Sequence, residues 1–160
     1  MKILGKPGMT ASFLLDMPAQ RSSLSRLFDF AKVYPAHPRE NFTTEALAAA
    51  IRHDPRPLVE CLSVSGIAGA REFERYRAFT QVSYIGAGTI DLVMQLLGGD
   101  KPHEVWIEVK VDAGESGEQL RSYREYIDSH AHELRRDLVI LSKSGLPTDV
   151  RSEQLTWRDI

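Results

Sequence analysis

Apolar positions along this chain recur with two different periods, and the change between them separates a helical first part from a mixed remainder. Leu24, Leu27, Phe28 and Ala31 fall at helical spacing with Pro35 after them, which predicts an amphipathic helix over 22–33. The stretch ENFTTEALAAAIRHDP predicts a second helix, with Thr43 placed to cap its start, Phe42 to staple onto Leu47, and Pro55 to stop it. A short helix over RPLVECL and a Gly/Ala loop, SGIAGA, come next.

The period then drops to two. Tyr76, Ala78, Thr80, Val82 and Tyr84 share one parity, the alternation of a half-buried strand, and Gly86 and Gly88 interrupt the chain after it. In TIDLVMQLL the same rule sets Ile90, Leu92, Met94 and Leu96 on one face and Thr89, Asp91, Val93 and Gln95 on the other. After the turn GGDKPH, Val105, Ile107, Val109 and Val111 form an apolar face opposed by Trp106, Glu108 and Lys110. Both strands of this hairpin are therefore expected to be one-sided. Past the loop DAGES, the stretch SGEQLRSYREYIDSHAHEL carries Leu120, Tyr123 and Ile127 on an apolar helical stripe. LVIL at 138–141 reads as a buried strand and QLTW as a weak closing one. The order helix, three strands, helix, strand predicts an α/β fold with a mixed central sheet and helices on both of its sides.

Length and charge narrow the picture. The chain has 160 residues and 42% hydrophobic content, enough for one domain with a sizeable core. Residues 1–20 are expected to be a leader outside the packed domain and residues 21–160 a single domain, with its core at about 40–143. The net charge of −2 gives no global attraction to nucleic acid, but 14 of the 20 basic residues are Arg, so a phosphate-binding surface would be a local patch. ASFLL is too short for a membrane span and Asp16 follows it, while the single Cys61 cannot form an internal disulfide. Both observations suit a cytoplasmic protein without a membrane partner. The five histidines lack zinc spacing with cysteine, and no role follows for them. Oligomeric state is not legible, and a homo-oligomer is compatible with the sequence.

The candidate chemistry lies in the strand VWIEVKV, where Glu108 and Lys110 interrupt an apolar run and need a partner, a metal or an exposed rim. If Gly99 and Asp100 form a two-residue turn, Asp91 lies directly opposite Glu108. If the loop spans 98–103, Asp91 lies opposite Lys110 and diagonal to Glu108. Two carboxylates opposed at about 5 Å repel by on the order of 3 kcal/mol at an effective dielectric of 20, so a cation belongs between them. Lys110 is one choice. A divalent ion is the other, since Mg²⁺ takes one or two carboxylates while keeping waters and substrate phosphates. Such a site polarises a phosphodiester and lowers the pKa of a bound water.

TIDLVM, the sixteen residues between Asp91 and Glu108, Glu-Val-Lys in a valine-rich strand and GEQLRSY on the next helix together resemble the PD-(D/E)XK nuclease superfamily, over roughly residues 40–143. The resemblance implies a restriction-endonuclease-like core, with Asp91 and Glu108 as metal-binding acids and Lys110 as the catalytic lysine. It also implies Glu45 as the acid of the first core helix, a third metal ligand, and Gln119 as the glutamine after the third strand. Asp91 follows Ile90 where the family pattern has proline. Other roles compete: an edge-strand charge pair for Glu108 and Lys110, a first-turn acid for Glu45, and a capping box with Ser116 for Gln119. Arg121 and Arg124 are candidate phosphate contacts on a face that is otherwise solvated. Tyr123 and Tyr126 read as core and rim.

The expected activity is hydrolysis of nucleic-acid phosphodiesters, DNA ahead of RNA, with Mg²⁺ as cofactor and Mn²⁺ as its substitute. Two other readings stand beside it: a catalytically silent nuclease fold that binds nucleic acid or supports assembly, and a protein-interaction domain without nucleic acid.

Overall fold

A computed structural model of the chain describes residues 38–67, 72–98, 102–111, 117–132, 134–143, 151–156 and 158–159. The leader, the helix expected over 22–33, the turn at Gly99 and Asp100, and Ser116 lie outside the described residues. Helix α1 spans Pro38–His53 and α2 spans Arg56–Val64. Strands β1 (Arg75–Tyr84), β2 (Gly88–Leu97) and β3 (His103–Val109) follow, then α3 (Gly117–Ser129), β4 (Arg135–Ser142) and β5 (Glu153–Thr156). The strands form one sheet in the order β1-β2-β3-β4-β5, antiparallel from β1 to β3 and parallel from β3 to β5. The helix α3 lies between parallel neighbours, as a crossover must. The fold is therefore α/β with a mixed sheet, and Glu153–Thr156, overlapping the expected closing strand, supplies the fifth strand.

Both faces of the sheet are covered. Leu47, Ala48 and Ile51 of α1 and Leu58, Val59 and Leu62 of α2 pack against Leu92, Met94, Leu96, Val105, Ile107 and Val109. Leu120, Tyr123 and Ile127 of α3 close the other face over Val93, Trp106, Leu138 and Ile140. The hairpin is thus two-sided where one-sided strands were expected: every residue of β3 is buried, polar parity included. The parallel partner β4 brings α3 across that face, as parallel pairing generally does.

The start of α1 also differs from expectation. The helix begins at Pro38, whose fixed φ suits a first turn, so Thr43 lies inside it and not at its N-cap, and Phe42 is exposed on its surface. Glu40, not Glu45, is the first-turn acid. Pro55 does end the helix, and Asp54 donates its amide to the Ala50 carbonyl just before it.

The register between β2 and β3 pairs Leu92 with Ile107 and Leu96 with His103. Continued by one residue, this alignment sets Asp91 across from Glu108, as a two-residue turn would, and the longer-loop alignment is excluded. The parity of β1 and β2 is not continuous, however. Ala78, Leu92 and Met94 face the layer of α1 and α2, whereas Val82, Tyr84 and Ile90 face α3. Both strands change faces at the same level, where Gln81 stands opposite Asp91. That pair is missing from an otherwise regular ladder, between Thr80↔Leu92 and Val82↔Ile90. Gln81 has φ +54, the sole positive value at a non-glycine residue among those described. The left-handed conformation costs a side-chain-bearing residue on the order of 1 kcal/mol, and it rotates the strand enough to exchange its faces.

Candidate metal and phosphodiester site

The break in parity positions the first acid. Asp91 sits between Ile90, which faces one layer, and Leu92, which faces the other, and its carboxylate turns towards the neighbouring strands. The Gln81 side-chain amide donates to Oδ1 at 3.1 Å, and the Val109 backbone N–H donates to Oδ2 at 3.0 Å. The carboxylate takes the place of a backbone acceptor beyond the last β2–β3 pair, Leu92↔Ile107. Burial pushes the Asp91 pKa above the usual carboxylate value, against the pull of these two hydrogen bonds and of Lys110.

Glu108 is the second acid, buried on the α3 side of β3 with 1% of its surface exposed. Lys110 Nζ lies 2.8 Å from Oε1, and the Tyr123 hydroxyl lies 3.4 Å from Oε2. Burial and then the charge of Asp91 push its pKa up to about 7, with Lys110 opposing. Burial works against the charge on Lys110 as well, but Glu108, Glu40 and Asp91 together raise its pKa and keep it an ammonium at neutral pH. Its backbone N–H is held by the Leu141 carbonyl at 2.8 Å, which fixes the residue where β3 leaves the sheet beside β4.

The helices contribute unequally. Gln119 donates to the Tyr123 hydroxyl, and that hydroxyl lies 2.6 Å from the Thr89 carbonyl, so Gln119 reaches Glu108 through tyrosine. Glu45 is buried and accepts from Thr80, the residue before Gln81. Glu40 accepts from the Val111 N–H at 3.3 Å, and its charge acts on Asp91 and Lys110. The structure thus brings Asp91, Glu108 and Lys110 together, attaches Gln119 through Tyr123, and puts Glu45 against Thr80 in the α1–β1 layer. Arg121 is exposed on α3. Arg124 donates to the Arg151 carbonyl and lies 3.8 Å from Asp128.

Three contributors escaped the sequence. Glu40 was hidden because the helix was expected to start after it; Pro38 is the signal that could have moved the start. Tyr123 read as core, which it is, but its hydroxyl is a polar handle at the end of a buried ring. For Gln81 no signal exists.

Among the described residues no three His, Cys, Asp or Glu side chains converge into a metal cage. The donor set is a carboxylate pair, one acid raising the proton affinity of the other, which suits a hard ion that keeps its remaining positions for water and phosphate. A family model described as the PD-(D/E)XK nuclease superfamily matches residues 7–157. Neither a curated protein nor a solved structure matches the chain.

Proposed function

The chain belongs to the PD-(D/E)XK nuclease superfamily, and on that premise we propose that it is a divalent-metal-dependent hydrolase of nucleic-acid phosphodiesters, DNA ahead of RNA. The observation that carries this reading is the opposition of Asp91 and Glu108 at the end of the β2–β3 ladder, with Asp91 raising the proton affinity of Glu108 while Lys110 lies 2.8 Å away. A buried acid and a partly buried one, with a single ammonium paired to the first, leave a net negative charge that a cation would offset.

Asp91 and Glu108 would hold Mg²⁺ or Mn²⁺, which supplies Lewis-acid polarisation of the phosphate and a more acidic bound water. The Lys110 ammonium donates hydrogen bonds from Nζ and offsets the charge that develops on the phosphoryl oxygens. The Tyr123 hydroxyl, held by Gln119, limits the rotation of Glu108. Arg121 supplies phosphate contact from the exposed face of α3. Glu45 acts by fixing Thr80 beside Gln81; Glu40 adds negative charge near Lys110.

One observation favours a second reading, a silent nuclease fold that binds nucleic acid. Glu108 already has an ammonium at ion-pair distance. Thermal melts and cleavage assays of wild type, Asp91→Ala, Glu108→Ala and Lys110→Ala, with and without Mn²⁺, separate the two. For the hydrolase, either acid variant raises the metal-free midpoint slightly by relieving repulsion, and it abolishes both the Mn²⁺-dependent stabilisation and cleavage. A wild-type midpoint indifferent to millimolar Mn²⁺, with both acid variants less stable than wild type, would favour the silent module.

A further inference from the structure

Gln81 is the one residue near the site whose backbone conformation its own chemistry does not explain. Glycine would adopt φ +54 freely, and asparagine is far commoner there than glutamine. A longer amide persists at a strained position when the surrounding structure requires it. What that amide reaches is Asp91: Nε2 donates to Oδ1 at 3.1 Å from β1, while the Val109 N–H donates to Oδ2 at 3.0 Å from β3. The carboxylate is therefore held from two strands, one oxygen by each, and rotation about its terminal bond breaks both contacts. A carboxylate oxygen accepts along two directions, so each oxygen keeps one for a cation. The amide is neutral. It orients the acid without contributing a positive charge that would compete with a metal ion, as an arginine or lysine would.

From this geometry we infer that Gln81 is a positioning residue for Asp91: its left-handed backbone exchanges the faces of β1 and β2, and its amide fixes the carboxylate plane in the orientation that receives the metal. The inference rests on the hydrolase reading. It concerns a residue that neither carries charge nor lies in the Asp…Glu-X-Lys pattern.

Two variants test it in the full chain. Gln81→Gly removes the amide and relieves the backbone, whereas Gln81→Met removes the donor and keeps length and strain. Mn²⁺ alone is the probe, titrated against the thermal midpoint, with cleavage measured in parallel. Both variants should weaken Mn²⁺ binding about tenfold or more, the range for partners that orient metal ligands. Their metal-free midpoints should separate, Gly at or above wild type and Met at or below it. A purely structural role would lower both metal-free midpoints and leave Mn²⁺ affinity alone. Wild type stabilised by Mn²⁺, with both variants binding it within twofold as tightly, overturns the positioning role and leaves the hydrolase reading intact. Wild type indifferent to Mn²⁺ overturns both.

Discussion

Glu104 and Glu108 stand four residues apart on β3, share its parity and are both buried, yet the protein treats them differently. Glu104 accepts from Tyr84, Trp106 and Arg136 at Oε2, at 3.1, 3.2 and 3.2 Å, and from Gln95 at Oε1 at 3.2 Å. Its cation is enclosed as well: the Arg136 guanidinium lies over the rings of Trp106 and Tyr126, at 5.8 and 5.5 Å, and donates to the His130 carbonyl. Glu108 has one lysine, one long contact from Tyr123, and a second acid as neighbour. A buried carboxylate whose lone pairs are filled is part of the scaffold. One left short of donors and beside like charge keeps its capacity for a ligand, and stability is lost in keeping it.

The largest test of this contrast is at the scaffold end. Glu104→Ala leaves Arg136 charged, buried and without its carboxylate, and should lower unfolding stability by about 3–5 kcal/mol in denaturant melts. A loss under about 1 kcal/mol would mean that the two acids are equivalent.

The next test is pH. The Glu108 pKa is raised from 4.5 to about 7 in the folded protein, so between these values the folded state holds a proton that the unfolded state has released. Metal-free stability is therefore greatest below about pH 4.5 as far as this group is concerned, and it falls as pH rises to about 7, by on the order of 3 kcal/mol. Asp91, also raised by burial, adds in the same direction. Glu108→Gln should flatten that slope in metal-free urea melts across this window, and an unaltered slope would assign it to other groups.

The smallest effect concerns the surface. Arg121→Ala should reduce the salt dependence of DNA binding by about one phosphate's worth, since Arg121 is exposed, whereas Arg124, only partly exposed beside Arg151 and Asp128, should change it less. Equal effects from both would show that Arg124 leaves these partners when nucleic acid binds.

Much of this was legible in the sequence, for reasons that differ by residue. Counting outward from the turn left two registers for Asp91, opposite Glu108 or opposite Lys110, because strand register is fixed by integers, and the structure selects the first. The apolar stripe of Leu120, Tyr123 and Ile127 followed from helical period and faces the core as expected. The exchange of faces at Gln81 could not be counted: alternation continues on paper, and no local preference of glutamine marks a left-handed residue. Ile90 was assigned with Leu92 for that reason and packs on the opposite layer. The burial of β3 on both sides was hidden for another. Its second face is covered by α3, and the polar pattern there reflects the partners of Glu104 and Glu108 rather than solvent.

The mixed pairing of the sheet has a consequence for the order in which the protein folds. The three strands that carry Gln81, Asp91 and Glu108 are consecutive and antiparallel, so their contacts close short loops at low entropic cost. Strand β4 meets β3 only after α3 has crossed between them, and β5 can join as a parallel neighbour only once β4 is in place. Contacts of such sequence separation form late in a folding reaction limited by loop closure. The acid pair is thus assembled within the early meander, while Tyr123, Gln119 and the Leu141 carbonyl that anchors Lys110 arrive with the later crossover.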